Sequence, residues 1–395
     1  MTVSLVNTWI SLTVEPKVLD AKRLLSDEEL PMLSVVCPLY REPNVVKQLF
    51  DAVTTLKYPQ DKIEFLWVLE RDDAETIEAI QSSFKDVTYE GEYPIEIGDK
   101  IKILYNIKRR MKANSLNLAL EKAVGEYLVV YDADVIPEGD QALKAMAVFA
   151  DNPEYSLLQA FIKTYNKDEN TLTGLYEDEF RRDWDYSTRL VNFTDGYFNL
   201  KGHSFFVKTD AARDIRGWNE IVTEDLDFGI NLAISGYKMG IFRSITQEEG
   251  PSTLKQNLGS RTRVCKGFIK SGTSNARKLL ECNIGKKKLL AITDIVLFKP
   301  IEKIILPLVV AAFIYSILFG TFIPKVIFTL FFLLSFSLST INYYKITSSV
   351  QRTLLLIGWD LFTCVFMFTG LIGAIINPDE FTATGHNGRA KKADV

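Results

Sequence analysis

The sequence is poor in the residues that build soft-metal centres and disulfide frameworks. Its 395 residues include only two histidines, His203 and His386, which argues against a histidine-rich metal site. The four cysteines are scattered and form no Cys-x-x-Cys pair, so they are expected to be buried or free thiols. A net charge of only −4, with no basic excess, argues against nucleic acid as a main partner.

The two ends of the chain differ in character. The N-terminus lacks the basic segment and long apolar core of a signal peptide, and none is expected. Residues 1–14 are mildly amphipathic, which fits a helix on a membrane surface or a short docked strand or helix. Residues 1–288 are mixed and charged, whereas residues 289–376 are strongly apolar. The length allows one large domain with added elements, or two domains.

Short apolar runs alternate with helical patterns in the first third of the chain. Residues 33–38, 63–69, 101–105 and 127–134 have the composition of buried strands, and segments with helical periodicity separate them. This β-α-β-α-β-α-β order predicts an α/β fold with a doubly wound, mostly parallel sheet. A long, highly charged helix is expected further along, over residues 172–190.

Carboxylates follow two of the predicted strands. Asp132 and Asp134 end the run Tyr-Leu-Val-Val-Tyr-Asp-Ala-Asp, and Glu70 and Asp73 follow the strand at 63–69. Because the carboxyl ends of parallel strands meet in one crevice, both acidic ends are expected to face the same ligand site. Two carboxylates one residue apart can share a hard cation with a diphosphate. For Asp132 and Asp134 taken alone, a solvated strand end is an equal alternative.

Two later motifs each allow a structural and a functional interpretation. Gly202-His203-Ser204 contains small residues that let the backbone approach a ligand, or that form a tight bend or bulge. Thr223-Glu224-Asp225 precedes a helical pattern and has the form of an ordinary N-cap. In a crevice, the same carboxylates would be stabilised as anions by the helix N-terminus.

The C-terminal third is basic at first and then apolar. Residues 249–288 carry many cations, which suit either a diphosphate or a membrane surface. Residues 289–298 predict an interfacial helix, and the runs at 304–322, 326–341 and 354–376 approach the roughly 20 apolar residues that a membrane span needs. The alternative is the buried helical core of a soluble protein, but three such runs in so short a stretch favour membrane spans.

Charged residues around these runs indicate an orientation. The Lys286-Lys287-Lys288 cluster before the first run places the large domain in the cytoplasm. Asp360 lies within the third run and is expected to face protein or a water-filled cavity, because a carboxylate is costly in lipid. Three spans would leave the basic tail outside, so either one run is interfacial or another segment supplies a span.

The order of these motifs resembles the membrane-integrated family-2 glycosyltransferases, and within them the cellulose-synthase-like branch, over residues 32–388. The motifs are the polar loop at Tyr40, the acidic strand end, Lys112 with Leu116-Asn117, Asp132-x-Asp134, Thr223-Glu224-Asp225 and Arg261-x-Arg263. The resemblance implies a GT-A fold, a doubly wound and mostly parallel sheet in a cytoplasmic domain, followed by interfacial and transmembrane helices. It divides the chain into a peripheral segment (1–31), the GT-A domain (32–250), basic and interfacial helices (251–302), transmembrane helices (303–376) and a tail (377–395).

The same resemblance assigns roles to individual residues. Asp225 is implied as the catalytic base, and Asp132 and Asp134 as ligands of Mg²⁺ or Mn²⁺. The nucleotide and diphosphate side is implied to consist of Tyr40, Glu42, Glu70, Asp73, Lys112, Asp132 and Arg263. The acceptor side is implied to consist of Gly202, His203, Ser204, Trp218 and Glu224.

The chain departs from the branch on the acceptor side. Ser260 and Val264 stand where the branch has glutamine and tryptophan, and Phe381 and Ala383 where its C-terminal motif has tryptophan and lysine. These changes favour addition of one or a few sugars over processive polymerisation. The expected activity is inverting, metal-dependent transfer from a nucleotide sugar, with UDP as the expected nucleotide, to a membrane-associated glycan or lipid-linked acceptor. The alternatives are a polyprenyl-phosphate sugar synthase and a non-enzymatic membrane scaffold.

Overall fold

A computed structural model describes most of the charged part of the chain and little of the apolar part. Residues 5–83, 95–97, 101–108 and 111–298 are described, followed by residues 312, 314–319, 326, 329, 337, 340–360 and 362–363. The predicted spans at 304–322, 326–341 and 354–376 therefore lie largely outside the described residues, as does the tail from 377. Among the residues that the structure describes, no helix combines the length and apolar composition that crossing a bilayer requires.

A mixed sheet of nine strands forms the centre of the described structure. Its strands are β1 (Leu33–Leu39), β2 (Ile63–Glu70), β3 (Ile95–Ile97), β4 (Ile101–Asn106), β5 (Tyr127–Val130), β6 (Ile136–Pro137), β7 (Tyr155–Thr164), β8 (Phe205–Lys208) and β9 (Lys238–Glu248). Across the sheet the order is β3-β4-β2-β1-β5-β8-β7-β9-β6. The four strands β4, β2, β1 and β5 are parallel, and β8 joins β5 and β7 in antiparallel pairing.

Helices cover the sheet and connect its parallel strands. They are α1 (Leu5–Thr13), α2 (Val46–Thr54), α3 (Ala74–Ser83), α4 (Lys112–Lys122), α5 (Gln141–Asp151), α6 (Thr171–Thr194), α7 (Thr209–Asp214), α8 (Glu224–Ile234), α9 (Leu254–Glu281) and α10 (Lys286–Thr293). The predicted charged helix at 172–190 corresponds to α6. The predicted interfacial helix at 289–298 corresponds to the end of α10 and a π-helical turn at Asp294–Phe298.

Alternating side chains of the central strands supply two hydrophobic cores, one on each face of the sheet. On β1, Val36 belongs to one core with Leu66, whereas Val35 belongs to the other with Phe65. All eight residues of β2 are buried, as expected for a strand covered on both faces. The predicted α/β fold is therefore confirmed. The described sheet is mixed, however, and not mostly parallel as expected, because four of its eight strand pairings are antiparallel.

The prediction that the central strand continues to Asp134 is wrong. β5 ends at Val130, which is also where its pairing with β1 and β8 ends. The backbone N–H of Ser204 donates to the carbonyl oxygen of Val130 at 2.6 Å, and β8 begins only at Phe205. β1 continues to Leu39 beside β2, whereas the chain after Val130 turns away from the sheet, and Asp132 and Asp134 lie in the loop that follows.

Asp360 contacts protein, as the cost of a lone buried carboxylate requires. The helical segment at 350–360 packs beside α6, and the Asp360 side chain is fully buried there. Arg182 of α6 donates to Asp360 Oδ2 at 2.9 Å, and the Tyr343 hydroxyl hydrogen-bonds to the same oxygen. This buried ion pair ties the end of the described chain to the long helix of the large domain.

Small and polar residues let α9 pack closely on the N-terminal turns of α8. The Asn275 amide donates to Asp227 Oδ1 at 2.5 Å, and the Thr223 and Ser271 hydroxyl oxygens lie 3.0 Å apart. A Cβ atom added at Gly267 would lie only 2.2 Å from Cγ2 of Thr223. Glycine at 267 is therefore required for the distance between the two helices, and this distance places Glu224 and Asp225.

We predict that Gly267→Ala lowers the free energy of unfolding by about 1–3 kcal/mol, because the added methyl group must push α9 away from Thr223. Chemical denaturation monitored by circular dichroism measures this loss. The matched control is Gly259→Ala on the same helix, where an added Cβ meets nothing within 4 Å. The control is expected to gain up to about 1 kcal/mol from helix propensity. Equal stability of the two variants would contradict the packing.

Candidate active site

A cavity of about 400 Å³ opens where the loop after β5 meets the N-terminus of α8 and the first turns of α9. Its described lining contains six carboxylates against two lysines and one arginine. The carboxylates come from the loop after β5, from α8 and from the end of β9. Among the sequence-predicted site residues, the lining includes Lys112, Asp132, Asp134, Gly202, His203, Glu224, Asp225 and Arg263.

The ammonium group of Lys112 joins three parts of this cavity. Lys112 is the first residue of α4, and its Nζ hydrogen-bonds to Asp132 and donates to the carbonyl oxygen of Gly202 at 3.0 Å. The same Nζ lies 3.8 Å from Glu224 Oε1. Burial lowers the pKa of Lys112, but the carboxylates of Asp132, Glu224 and Asp225 outweigh burial and raise this pKa above its usual value. Lys112 is therefore held as a cation.

Asp225 lies in the first turn of α8, with its carboxylate beside the cavity. Its Oδ1 accepts a hydrogen bond from the backbone N–H of Leu226 at 2.8 Å. Burial raises the pKa of Asp225, and the Leu226 N–H, Lys112 and Lys201 offset part of this effect. A carboxylate with a raised pKa is a stronger proton acceptor when ionised, which suits a general base.

Glu224 is the more deeply buried of the two neighbouring carboxylates, with 8% of its surface exposed. Burial raises the pKa of Glu224 to about 7; the Lys112 cation opposes this effect and the Asp225 charge adds to it. The Glu224 carboxyl group, which neighbours Lys112 and Asp225, therefore gains or loses its proton near neutral pH.

His203 is held by hydrogen bonds at both ring nitrogens. Nδ1 lies 2.9 Å from the Ser204 hydroxyl oxygen, and Nε2 lies 2.9 Å from Glu248 Oε2. Burial lowers the pKa of His203, but the hydrogen bond to Glu248 and the charge of Asp132 raise it above the usual value. Ser204 is fully buried with a φ of 58° and does not line the cavity; its hydroxyl contacts His203, which does.

Arg263 reaches the cavity from α9, together with Ser260 and Val264. Within the described residues it forms no ion pair, in contrast to Arg261 two positions earlier. Arg261 pairs with Glu179 of α6 and hydrogen-bonds to Asn257 at 2.6 Å. The guanidinium of Arg263 is thus available to an anionic ligand, whereas that of Arg261 is used in packing.

The predicted nucleotide residues at and after the ends of β1 and β2 lie outside the cavity lining. Asp73 accepts a hydrogen bond from the backbone N–H of Arg41 at 2.5 Å, and the Glu42 N–H donates to the Thr76 hydroxyl at 3.0 Å. The structure thus places the loop that contains Tyr40 and Glu42 against the end of β2.

Glu70, on the same strand, is buried and is satisfied by other side chains. It accepts hydrogen bonds from Asn106 at 3.0 Å and Ser115 at 3.2 Å. In this arrangement Glu70 and Asp73 shape the loop and the strand ends, and neither lines the cavity described above.

Family comparison identifies the chain. Residues 127–376, more than half of its length, match the family model described as "Glycosyl transferase family group 2". The chain belongs to this glycosyltransferase family. Residues 34–216 also match the model described as "Glycosyl transferase family 2". The protein is therefore a glycosyltransferase.

Curated relatives of this glycosyltransferase include plant mannosyltransferases. Glucomannan 4-beta-mannosyltransferase 1 of Cyamopsis tetragonoloba is 26% identical over 242 residues, which is 59% of this chain and 44% of the relative. Glucomannan 4-beta-mannosyltransferase 9 of Arabidopsis thaliana is 26% identical over 239 residues, which is 58% of this chain and 43% of the relative. The chain thus matches less than half the length of these relatives.

A solved structure shares the fold over almost the whole chain. The mannosyltransferase PcManGT from Pyrobaculum calidifontis, solved in complex with GDP-Man and Mn²⁺, superposes with a TM-score of 0.66. The match covers 95% of each chain at 16% sequence identity. At this identity the likeness establishes a GT-A-like fold for this glycosyltransferase.

The donor atoms of the cavity fit a divalent cation. Asp132 and Asp134 both line it, so the protein would supply two carboxylates and a bound diphosphate the further oxygens that Mg²⁺ or Mn²⁺ needs. Among the described residues, no group of three or more His, Cys, Asp or Glu side chains is arranged to hold a metal by itself. The excess of carboxylates in the lining favours a cation at this position.

Trp218 packs in the protein interior, outside the described cavity lining, and its predicted acceptor-side role stays a prediction. It is 3% exposed and stacks on Phe228 with ring centroids 4.3 Å apart. Asn117 of α4 accepts from the Trp218 backbone N–H and donates to its carbonyl oxygen, at 2.8 Å in each case. Trp218 and Asn117 thus fix the segment before α8 to α4, and Trp218 does not line the cavity.

Sequence reasoning missed three charged residues of the cavity lining. Glu248 is the last residue of β9 and Glu249 follows it, so the rule that carboxylates at strand ends face the crevice would have found them. Lys201 immediately precedes the Gly202-His203-Ser204 motif and also lines the cavity. No pattern in the sequence distinguishes Lys201 from a surface lysine, because its partner Asp183 lies on α6.

We predict that the Glu224→Gln variant becomes more stable relative to the parent protein when the pH is raised from 5 to 8. The folded protein binds the Glu224 proton more tightly than the unfolded chain does, because the folded pKa of about 7 exceeds the ordinary 4.5. The stability that this proton contributes is therefore lost as the pH rises through about 7. Glutamine removes the loss, so the melting temperature of the variant minus that of the parent protein should increase from pH 5 to pH 8.

Differential scanning calorimetry at the two pH values measures this difference. Glu121→Gln, at a side chain that is 69% exposed, controls for the general effect of replacing glutamate by glutamine. A melting-temperature difference for Glu224→Gln that stays constant or decreases with pH would contradict the burial of this carboxylate.

Proposed function

We propose that this glycosyltransferase is an inverting, metal-dependent enzyme that moves one sugar from a nucleotide sugar to an acceptor hydroxyl. The observation that supports this proposal most strongly is the single cavity lined by Asp132, Asp134, Asp225, Lys112 and Arg263. A base, a pair of carboxylates for a cation and two cationic side chains are the groups that the reaction requires.

Asp225 is proposed to accept the proton of the attacking hydroxyl. The acceptor oxygen forms a bond to the anomeric carbon on the face opposite the diphosphate, while the bond from that carbon to the diphosphate oxygen breaks. The hydroxyl proton passes to the Asp225 carboxylate, and the electron pair of the broken bond leaves with the diphosphate. Placement at the helix N-terminus fixes this base through the Leu226 N–H.

Lys112 and Arg263 are proposed to bind the leaving diphosphate. Lys112 reaches the cavity from α4 and Arg263 from α9, so the two cations come from different elements. A guanidinium matches two phosphate oxygens, and Arg263 has no ion pair within the described residues. When bound at Asp132 and Asp134, Mg²⁺ or Mn²⁺ would neutralise charge on the same diphosphate.

Mannose is the first donor sugar to test. The two plant relatives are named as mannosyltransferases, and PcManGT was solved with GDP-Man. The sequence resemblance implies a UDP sugar instead. GDP-mannose and UDP-glucose are therefore the first two donors to compare.

The acceptor is proposed to be a glycan or a lipid-linked sugar presented at a membrane. Val264, with 36% of its surface exposed, lines the cavity, as do Tyr176 and Phe180. This apolar wall favours an acceptor with an apolar portion, and so keeps the lipid-linked synthase as the second candidate function.

We infer that the C-terminal third attaches the enzyme to a membrane, with the catalytic domain on the cytoplasmic side. Leu289, Leu290 and Leu297 follow the triple lysine and are each more than one-third exposed. Apolar side chains next to a cationic cluster suit the surface of an anionic bilayer. Release of the full chain from membranes by sodium carbonate at high pH would exclude an integral attachment.

We predict that the purified protein releases nucleoside diphosphate from a nucleotide sugar only when Mn²⁺ or Mg²⁺ is present. Asp225→Asn should lower the rate by about 10²–10⁴-fold, because it removes the proton acceptor. A coupled assay of nucleotide release over a panel of UDP and GDP sugars, with glycan and lipid acceptors, measures both effects.

The matched control is Asp210→Asn, a fully exposed aspartate on α7 that does not line the cavity. It should retain the parent rate. Release that survives in Asp225→Asn at the parent rate, or no release from any donor, would refute the proposed mechanism.

A further inference from the structure

Lys201 is a second cation on the side of the cavity that holds Asp225. A Cβ atom added at the next residue, Gly202, would lie 3.6 Å from Asp225 Oδ2 and 3.5 Å from Lys112 Nζ. Gly202 is therefore adjacent to both Lys112 and Asp225, and Lys201, the residue before it, lines the same cavity. Neither the motifs nor the family comparison assigns any role to Lys201.

The backbone around Lys201 is fixed by a buried glutamine. Gln159 of β7 is fully buried, and its Oε1 accepts from the Lys201 N–H at 3.1 Å. Its Nε2 donates to the carbonyl oxygens of His203 at 2.8 Å and Ser204 at 3.1 Å. One side chain thus holds both sides of Gly202, and the start of the Lys201 side chain has a defined position.

The ammonium group of Lys201 is held by α6. It forms an ion pair with Asp183, and it lies 5.8 Å from the ring centroid of Trp184. The Trp184 indole donates to the carbonyl oxygen of Ile162 at 3.0 Å, which fixes this turn of the helix. The Lys201 side chain is only 16% exposed, so its charge is little screened by water.

The Lys112 ammonium group already interacts with several other groups. Its ammonium group contacts Asp132 and the Gly202 carbonyl, and it lies near Glu224. The proposed function also assigns it to the diphosphate. A carboxylate that must stay ionised beside a buried glutamate therefore needs a further cation, and Lys201 is the lysine of the described lining that remains.

We propose that the Lys201–Asp183 pair is a positioning device that keeps the Asp225 carboxylate ionised and ready to accept a proton. The proposal rests on the proposed function of Asp225 as the base. Lys201 sets the charge near this base, and Asp183 sets how much of the lysine charge the base experiences. Lys201 is among the groups that lower the pKa of Asp225 against the effect of burial.

Other charged groups also face the region of Asp225. They come from α4, from the loop after β5, from the segment before β8, from α8 itself, from the end of β9 and from α9. They are Lys112, Asp132, Asp134, His203, Glu224, Glu248, Glu249 and Arg263. None of them is changed by substitutions at positions 183 and 201. The two substitutions therefore test one contribution to the charge at Asp225.

The two partners should shift the pH profile in opposite directions. Lys201→Gln removes a positive charge, so the acid limb of kcat/KM should move to higher pH. At pH values on the acid limb, kcat/KM of Lys201→Gln should be lower than that of the parent enzyme by at least about threefold. Asp183→Asn removes the counter-charge of Lys201, so its acid limb should move to lower pH. Lys201→Arg restores the charge and should restore the parent profile.

The experiment measures kcat/KM against pH on the full-length enzyme with its active donor, over the range where circular dichroism shows an unchanged fold. Lys238→Gln is the matched control, because Lys238 forms a similar ion pair with Asp195 at 2.8 Å and does not line the cavity. Its acid limb should stay at the parent position.

Opposite shifts in the two variants support the proposal. Unshifted limbs, or limbs that move in the same direction, overturn it. If Lys201→Gln is inactive at every pH, the direction of the Asp183→Asn shift decides. A parent enzyme that transfers no sugar at all refutes the proposed function, which distinguishes that failure from failure of the pair.

Discussion

The contact of the Lys112 ammonium group with Asp132 and the Gly202 carbonyl is the interaction on which the arrangement of the site depends. It joins the start of α4 to the loop after β5 and to the segment before β8, and Glu224 brings in α8 at 3.8 Å. Without this cation, buried carboxylates would face one another in a poorly solvated cavity and would take up protons. The proposed function assigns this same charge to the diphosphate as well.

The site is built on a support that keeps these groups close together. The Gly267 contact with Thr223 and the Asn275 bond to Asp227 hold α9 against α8. Gln159 fixes the segment around Gly202. Because these contacts fix the groups around the cavity, a reaction that develops charge between them needs little rearrangement of the protein.

The sequence was informative where local composition determines structure. Alternating apolar and helical runs predicted the parallel strands. Of the two acidic strand ends that were expected to face one ligand site, Asp132 and Asp134 line the cavity, whereas Glu70 and Asp73 do not. The features that the sequence did not predict depend on long-range packing. Nothing local shows that β5 loses its partners at Val130, that Trp218 stacks on Phe228, or that Lys201 meets Asp183 from α6. The roles of individual residues were predicted from the resemblance to family-2 glycosyltransferases, because hydrophobic periodicity carries no information about them.

The central claim is that one cavity binds the diphosphate and the metal beside the base Asp225. The most direct measurement is a crystal structure of the full chain with a nucleoside diphosphate and Mn²⁺, with the manganese located by anomalous scattering. The account predicts a Mn²⁺ ion bound to Asp134 or Asp132 and to the diphosphate, with the Arg263 guanidinium on a phosphate oxygen. A nucleotide bound outside this cavity, or a manganese ion that contacts neither aspartate, would contradict it.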